Sequence, residues 1–354
     1  MSLRNLFDVG PEELRAFVAG LGAPRFCAEQ VLHWIYRRRA DRFGAMANVP
    51  ASVRRALQAE YRFGVLALLE RQQSGRDLTT KFLLGLPEGD GIEAVFMRDR
   101  DRVTGCLSVQ AGCPLACRFC ATGYAGFTRN LSAGEIVEQL HIIARTLDPP
   151  THVVYMGMGE PLLNVAAVMD SIRRLTDPAA FGLSPRRITV STAGIVPGIE
   201  RLATLERPVN LALSLHAPND ALRAELMPIN RQYPLDRVIP ALKRYLRETG
   251  RRITLEYIMI AGCNMEAAHA AELAAIAREN AARINLVAFN PVRESGLRTP
   301  SAEEEGAFRD RLRALGADAM IRFRRGRDIN AACGQLRGRR LETRSEPDRT
   351  ARRR

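Results

Sequence analysis

From about residue 100 onward, short apolar runs alternate with amphipathic stretches. Six runs of seven to nine residues predict buried β-strands: 104–110, 152–159, 186–194, 209–217, 252–260 and 283–290. The stretches between them, such as EIVEQLHIIARTL, carry apolar residues three and four positions apart, as amphipathic helices do. Ser132 and Glu135 form a capping-box pattern at the start of that helix. Strands that alternate with helices predict βαβ units and a parallel sheet.

The fold class that we predict is α/β, a partial (β/α)6 barrel with a small helical N-terminal accessory domain. The N-terminal domain covers residues 1–90, where PEELRAFVAGLG and RFCAEQVLHWIYRRRA have helical patterns and TTKFLLGL reads as a strand. The barrel core covers residues 91–336 and begins with the strand-like GIEAVFMRD. Residues 337–354 hold eight arginines and three acids, and we expect this basic tail to be disordered.

Ligands of such barrels bind at the carboxyl ends of the strands. This rule directs attention to the residues that end the predicted strands: 157–160, Ser191, Ser214, Leu215, His216 and Asn290. A histidine on a strand can also be a purely structural, hydrogen-bonded residue, and for His216 this alternative stays open.

Composition and charge narrow the function classes. No apolar run approaches the roughly 20 residues that a membrane span requires, and no export signal is visible, so we expect a cytoplasmic protein. The chain has 52 Lys and Arg residues against 39 acids, a net charge of +13, which suits a polyanion such as a nucleic acid. Excess charge that merely solvates the surface is the alternative. Seven cysteines, an odd number, favour metal or catalytic thiols over a disulfide scaffold.

Three of the seven cysteines, Cys113, Cys117 and Cys120, lie in the short segment GCPLACRFCATG. Zinc sites usually draw four ligands from paired C-x₂-C units, and this segment has no second pair nearby. Three thiolates on one loop suit a cubane iron–sulfur cluster in which one iron keeps an open position. At these residues the chain resembles the radical S-adenosylmethionine (SAM) superfamily. The resemblance implies a [4Fe–4S] cluster whose open iron binds SAM, which is then cleaved to methionine and a 5′-deoxyadenosyl radical.

The segment MGMGEP, residues 156–161, resembles the GGE-type motif of that superfamily. The likeness implies that Glu160 accepts a hydrogen bond from the methionine ammonium of SAM. Gly157 and Gly159 would allow the backbone to approach closely.

Longer stretches resemble one family more narrowly, the RlmN/Cfr family of RNA adenosine methyltransferases. They are GCPLACRFCATGYAGFTRNLSAGEIVEQ, VVYMGMGEPLLN, RRITVSTAGIVPGI, SLHAPNDALRAELMPIN and DINAACGQL. The resemblance implies methylation of adenine at carbon-2 (RlmN branch) or carbon-8 (Cfr branch), and GFTRNL, Pro161 and SLHAPND favour the former. The implied partners are 23S rRNA, tRNA with adenosine 37 as its target, and a reducing partner such as flavodoxin.

The resemblance also assigns roles to cysteines outside the cluster. Cys333 would be methylated by one SAM, and a second SAM would generate the radical that activates the S-methyl group. Cys106 would deprotonate the adenine adduct and resolve it by forming a disulfide with Cys333. Glu93 matches a general base of the family, although Cys106 competes for the same proton. Cys27 and Cys263 match no family role.

The same match implies a set of contacts to SAM: Gly159, Glu160, Ser191, Ser214, Leu215, His216 and Asn290. A protein of a different class stays open as an alternative, a sensor that binds SAM at an iron–sulfur cluster without methyl transfer. Such a protein would have no use for Cys333.

Overall fold

A computed structural model describes residues 3–338 of the chain. The N-terminal part packs three helices around an apolar core that includes Cys27, and a short parallel pair of strands closes it. Its elements are β1 (Arg4–Asn5), α1 (Pro11–Gly20), α2 (Arg25–Leu32), α3 (Ala51–Glu60) and β2 (Tyr61–Arg62). The helices bury the apolar stripes that their sequences predict, for example Leu14 and Val18 of α1.

A ten-stranded sheet forms the centre of the molecule, in the order β14-β13-β12-β11-β10-β9-β6-β5-β4-β3. Strands β3 to β6 pair antiparallel, whereas the neighbours from β6 to β14 are parallel. The bounds are β3 (Ala67–Gln73), β4 (Thr79–Gly85), β5 (Gly91–Asp99), β6 (Arg102–Cys106), β9 (His152–Tyr155), β10 (Ile188–Thr192), β11 (Asn210–Ser214), β12 (Ile253–Met259), β13 (Arg283–Ala288) and β14 (Ala319–Ile321). Two further strands, β7 (Gln110–Gly112) and β8 (Phe127–Asn130), form a separate hairpin.

Helices follow each of the parallel strands up to β13, which gives six βα units before β14. They are α4 (Ala121–Tyr124), α5 (Ala133–Thr146), α6 (Val165–Thr176), α7 (Val196–Ala203), α8 (Asp220–Leu226), α9 (Leu235–Thr249), α10 (Ala267–Glu279) and α11 (Ala302–Ala314). The partial (β/α)6 barrel is therefore confirmed, as is the capping box of α5, in which Ser132 and Glu135 bond reciprocally. None of the helices among residues 3–338 is both long and apolar enough to cross a membrane.

The strand ends differ from the sequence prediction where the site begins. The run 104–110 does not continue as one strand, since β6 ends at Cys106 and the chain re-enters a hairpin at Gln110. Similarly β9 ends at Tyr155, which leaves residues 156–160 as a loop. The sequence analysis also did not predict β3 and β14. The boundary at residue 90 stays a prediction, and it falls between β4 and β5, which pair along their whole length.

The N-terminal part is docked on the barrel by buried polar contacts. Asp8 accepts a hydrogen bond from the Gly134 amide at the start of α5, at 2.7 Å, while Arg174 of α6 donates to the carbonyl oxygens of Phe7 and Asp8. The buried carboxylate of Glu138 accepts from the Val65 amide at 2.9 Å. Of the predicted tail, residues 339–354 lie outside the described residues.

Candidate active site

The three-cysteine loop connects hairpin strand β7 to helix α4. Gly112 begins the loop with φ +80°, and a Cβ there would lie 1.9 Å from the Gly126 carbonyl oxygen, so only glycine fits. The amide of Cys113 donates to that same oxygen at 2.8 Å, and the amide of Cys120 donates to the Cys117 carbonyl at 3.1 Å. The hairpin thus fixes the first cysteine, and a turn fixes the last two.

The environment of the three thiols fits an iron–sulfur cluster. Apolar side chains surround them, including Leu115, Phe119 and Leu226, and burial raises the pKa of Cys113 to about 12 and that of Cys117 well above its usual range. The thiols of Cys120 and Cys113 raise the pKa of Cys117 further, which shows that the three lie near one another. Such thiols ionise when a cation binds them.

Among residues 3–338, no group of three or more His, Cys, Asp or Glu side chains has the arrangement that a single metal ion needs. A cubane differs from a mononuclear site because each thiolate binds a different iron at its own corner. Three thiols on one loop, without a second cysteine pair nearby in sequence, fit a [4Fe–4S] cluster better than a zinc ion.

The loop after β9 carries the GGE-like motif against the loop after β6. A Cβ on Gly157 would lie 2.7 Å from the carbonyl oxygen of Leu107, and one on Gly159, whose φ is +94°, would lie 2.5 Å from Cβ of Gln110. The Gln110 side chain in turn accepts a hydrogen bond from the amide of Glu160 at 2.9 Å. Both glycines are thus required for close approach of the two loops.

Glu160 links the ends of two strands. Its carboxylate accepts from the Leu162 amide at 3.0 Å and, through the other oxygen, from the Ala193 amide after β10 at 2.8 Å. Burial nevertheless raises the pKa of Glu160 to about 7. A cationic ligand group beside this carboxylate would favour its ionised form.

The predicted residues at the ends of β10 and β11 come together. The hydroxyl oxygens of Ser191 and Ser214 are 3.1 Å apart, and the Leu215 amide donates to the carbonyl oxygen of Glu256 on β12 at 3.0 Å. Both serines lie at the carboxyl edge of the parallel sheet, as the barrel rule predicts.

His216 is held firmly by its neighbours. Its φ is +59°, its Nδ1 accepts from the Ile258 amide at 3.1 Å, and its ring lies edge-on to Phe119 with centroids 4.7 Å apart. Burial, and secondly the charge of Arg223, lower the pKa of His216 to about 3, so the ring is neutral. With Nδ1 as acceptor, the proton is assigned to Nε2. These contacts give His216 a structural role, whatever it binds in addition.

The segment that carries Cys333 packs on both the cysteine loop and the barrel. The amide of Ala121 donates to the Gly334 carbonyl at 2.7 Å, and Thr122 donates from its hydroxyl to the carbonyl of Leu336. Asn290, after β13, donates to the carbonyl oxygen of Cys333 at 3.2 Å, while its own Oδ1 is buried without a partner. Asn290 thus presents a free acceptor at the site.

Cys106 and Cys333 lie close enough for their thiols to interact electrostatically. Burial raises the pKa of the Cys106 thiol to about 12, and Cys333 adds to this shift. Cys333 itself is solvent-accessible, but desolvation by the surrounding protein still raises its pKa, with Glu256 and Cys120 raising it further. Arg322, which follows β14, opposes the shift at both thiols. The Cys333 thiol is therefore within electrostatic range of Cys106, and its segment packs on the cluster loop.

Glu93 lies on β5 and is buried, with both carboxylate oxygens engaged. Oε1 forms an ion pair with Lys81 at 2.9 Å, and Oε2 accepts from the amides of Arg337 and Gly338 at 2.8 and 3.2 Å. Both carboxylate oxygens of Glu93 therefore contact groups of the protein.

The sequence analysis missed Arg223, which is 0% exposed. It donates to the carbonyl oxygens of Leu215 and Ala193, at 3.1 and 2.6 Å, and to Asn230 at 2.6 Å. Burial lowers its pKa to about 10, and the nearby Cys117 thiol opposes this. The only signal in the sequence was its position inside SLHAPNDALRAELMPIN.

A partial barrel with a three-cysteine loop at the carboxyl edge of its strands defines the class of radical SAM enzymes. The family model described as Radical SAM superfamily matches residues 107–274, and the model described as Ribosomal RNA large subunit methyltransferase N-terminal domain matches residues 4–62. Membership of this superfamily implies a [4Fe–4S] cluster and bound SAM.

Comparison with known proteins gives the family. The chain is 43% identical over 344 residues to a probable dual-specificity RNA methyltransferase RlmN of Thermotoga maritima, covering 97% of this chain and 100% of that protein. Identity is 46% to the protein of the same description from Heliobacterium modesticaldum, over 95% of this chain and 89% of the relative. A crystal structure of a radical SAM methyltransferase from Sphaerobacter thermophilus superposes with a TM-score of 0.91 at 43% identity, covering 94% of this chain and 99% of that one. The chain belongs to the RlmN family of radical SAM RNA methyltransferases, which confirms the resemblance.

Proposed function

We propose that this protein methylates carbon-2 of an adenosine in 23S rRNA and carbon-2 of adenosine 37 in some tRNAs. Its relatives are described as dual-specificity RNA methyltransferases. The observation that carries the proposal is the packing of the Cys333 segment on the cluster loop, where the Ala121 amide donates to the Gly334 carbonyl at 2.7 Å, with the Cys333 thiol within electrostatic range of Cys106. A protein that only bound or cleaved SAM would need neither thiol there.

Cys113, Cys117 and Cys120 would hold the cluster. Together the bound cluster and SAM would supply the radical, and SAM would supply the methyl group. Cys333 carries the methyl group on its sulfur, which requires its thiolate, and its accessible position admits the RNA base. Cys106 takes the proton from the adduct carbon, and one electron leaves the adduct radical for an external acceptor. After passing that proton on, the Cys106 thiolate forms an S–S bond with Cys333 as the bond between the Cys333 sulfur and the methylene carbon breaks, and that carbon takes the electron pair and a proton to become the methyl group. Because its thiol has a pKa of about 12, Cys106 must lose its proton to a partner before it can act as a base. Two SAM molecules are consumed per turnover.

The ends of the strands provide the SAM contacts. In this proposal Glu160, aided by the Gly159 backbone, binds the methionine ammonium, and Ser191, Ser214, Leu215 and His216 line the nucleoside. The unpartnered Oδ1 of Asn290 accepts a hydrogen bond from the same ligand. Each of these residues lies at or after the carboxyl end of a parallel strand, where barrels of this kind bind their ligands.

The RNA approaches the open edge of the barrel. Phe323 is 79% exposed, two residues after β14, and the guanidinium of Arg325 lies 5.6 Å from its ring centroid. An exposed aromatic ring beside arginines is typical of surfaces that stack nucleobases of single-stranded RNA. The target adenine is turned outward from its helix to reach Cys333. A substrate in ribosomal RNA and unpaired cysteine thiols both suit a cytoplasmic location. Flavodoxin is the proposed electron donor.

The test is anaerobic reconstitution of the protein with iron and sulfide, followed by incubation with SAM, a reductant, and either 23S rRNA or tRNA. Mass spectrometry of the digested nucleosides should then find 2-methyladenosine in both RNAs. Detection of 8-methyladenosine alone would assign the Cfr-type reaction instead. Cleavage of SAM without any methylated nucleoside would favour the sensor alternative. Replacing dithionite by reduced flavodoxin tests the electron donor.

A further inference from the structure

The residues around Cys333 form a strap, defined here as residues 326–338, that crosses the antiparallel edge of the sheet. Its first half is tied to the turn between β3 and β4. The Gly326 amide donates to Asp77 at 3.0 Å, and Asp328 accepts from the Ser74 hydroxyl at 2.8 Å and from the Gly75 amide at 2.9 Å. The described part of the strap contains no helix longer than a single 3₁₀ turn, so external contacts determine its path.

The second half of the strap ends on Glu93. One carboxylate oxygen accepts the amides of both Arg337 and Gly338, as described above. A Cβ on Gly338 would lie 2.1 Å from the carbonyl oxygen of Gly91, so the strap passes directly against β5. The side chains of Glu93 and Lys81 are only 10% and 12% exposed, so water screens their ion pair little.

Lys81 contacts the strap on the other side of Cys333. Its Nζ lies 2.9 Å from Oε1 of Glu93 and 3.4 Å from the carbonyl oxygen of Asn330, to which it donates. Asn330 precedes Cys333 by three residues, and Arg337 follows it by four. The ion pair between Lys81 on β4 and Glu93 on β5 therefore contacts the strap both before and after Cys333.

We propose that Lys81 and Glu93 act together as a clamp that positions Cys333, and that Glu93 does not act as the proton acceptor. This inference rests on the proposed function, since it concerns the cysteine that carries the methyl group. Oε1 of Glu93 pairs with the ammonium and Oε2 accepts two backbone amides, so three contacts direct this carboxylate to Lys81 and the strap. Lys81 and Glu93 are positioning residues in this account, because they act through the strap.

Three variants separate positioning from proton transfer. Lys81→Met leaves Glu93 as an unpaired buried charge and removes the bond to Asn330. Glu93→Gln keeps a carbonyl oxygen for the strap amides but turns an amide group toward the Lys81 ammonium, so donor faces donor. The double variant Glu93→Gln/Lys81→Met keeps the acceptor for the strap, has no unpaired charge and has no base. Lys243→Met serves as a control, because Lys243 forms an exposed ion pair with Glu279 on the outer helices.

The first readout is hydrogen exchange of residues 326–338 in the reconstituted holoenzyme, together with the alkylation rate of Cys333. Breaking a buried ion pair is strongly destabilising, so we expect both rates to rise by about tenfold or more in Lys81→Met and Glu93→Gln. They should fall back only part of the way in the double variant, which keeps the acceptor for the Arg337 and Gly338 amides but still lacks the bond from Lys81 to Asn330. Lys243→Met should match wild type. Wild-type exchange rates in both single variants would overturn the clamp. This readout does not depend on whether RNA is methylated.

The second readout is methylation of RNA under the same conditions. The clamp predicts that methylation falls in the single variants. In the double variant, methylation should recover to the extent that hydrogen exchange of the strap becomes slow again. If the double variant has an ordered strap but methylates no RNA while the wild type does, Glu93 is the proton acceptor and the proposal is wrong. If the wild type itself methylates no RNA, the proposed function fails, and hydrogen exchange still decides the clamp.

Discussion

Arg223 donates from Nη2 to the carbonyl oxygen of Ala193 at 2.6 Å, which joins helix α8 to the loop after β10. The same guanidinium donates from Nε to the carbonyl of Leu215 after β11. The Arg223 side chain is fully buried. One side chain therefore fixes the distance between two strand ends that carry the proposed SAM contacts.

Replacing Arg223 by Met should destabilise the protein. The carbonyl oxygens of Ala193 and Leu215 would lose their buried donors, and each unsatisfied group costs about 1–3 kcal/mol, so we expect a loss on the order of 3 kcal/mol. Anaerobic denaturant unfolding of the holoenzyme measures it. The matched control is Arg244→Met, because Arg244 forms an exposed ion pair with Glu200 and should change stability by less than about 1 kcal/mol. Equal stability of the two variants would contradict the role assigned to Arg223.

Replacing Gly157 by Ala should weaken SAM binding with little loss of the remaining fold. The added Cβ would meet the backbone of Leu107 at 2.7 Å, which forces the loop of residues 156–160 away from the loop after β6. Equilibrium dialysis with SAM should show at least about tenfold weaker binding, since small displacements of a positioning group are costly. Gly306→Ala, where a Cβ meets nothing within 4 Å, should bind as wild type does. Normal SAM affinity in Gly157→Ala would show that this loop does not contact the cofactor.

Glu138 should make stability depend on pH. Burial raises its pKa from 4.5 to about 7, although the Val65 and Leu66 amides favour the ionised form. Because the folded state holds this proton more tightly than the unfolded chain does, the stability from this group is complete below pH 4.5 and is lost as the pH rises through about 7.

The neutral variant Glu138→Gln does not have this titration. Its melting temperature should therefore rise relative to wild type between pH 5 and pH 8, with a free-energy change on the order of 3 kcal/mol. Thermal unfolding at a series of pH values measures the difference. A constant offset between the two proteins across this range would mean that Glu138 titrates normally in the folded state.

Phe323 should contribute to RNA affinity by stacking. Replacing it by Ala should weaken binding of the substrate RNA by about 1–3 kcal/mol, as the loss of one stacked base does. The slope of log K against log salt should stay unchanged, because no phosphate contact is lost. Leu315→Ala is the control. Leu315 is also exposed, but it precedes the amino end of β14, whereas Phe323 follows its carboxyl end. Unchanged affinity in Phe323→Ala would remove this ring from the RNA surface.

The sequence was sufficient to predict the barrel because its buried strands are continuous apolar runs separated by amphipathic helices. Strand β3 was missed since it lies at the edge of the sheet and its residues, ALLERQQ, are mostly exposed and show no alternation. Strand β14 has only three residues, too few for a periodicity to appear. Both strands exist because a neighbouring strand offers hydrogen-bonding groups, which local sequence does not record.

The cysteine loop and the strand-end residues were predictable because they form recognisable local patterns. Arg223, Lys81 and Glu138 were not, since a charged residue in sequence reads as solvated surface. Each is buried or nearly so here because partners far along the chain satisfy it, as Glu93 does for Lys81. The role of Glu93 shows the same limit, because its contacts with residues 337 and 338 depend on the path of the strap.

The central claim is that Cys333 carries the methyl group to RNA. The most direct measurement compares wild type with Cys333→Ala in one anaerobic reaction, counting both 5′-deoxyadenosine released from SAM and 2-methyladenosine in the RNA. We expect the variant to release 5′-deoxyadenosine only by uncoupled cleavage, because the cluster loop is intact but the S-methyl hydrogen donor is absent, and to form no detectable 2-methyladenosine. Methylation of RNA by Cys333→Ala at the wild-type rate would contradict the account.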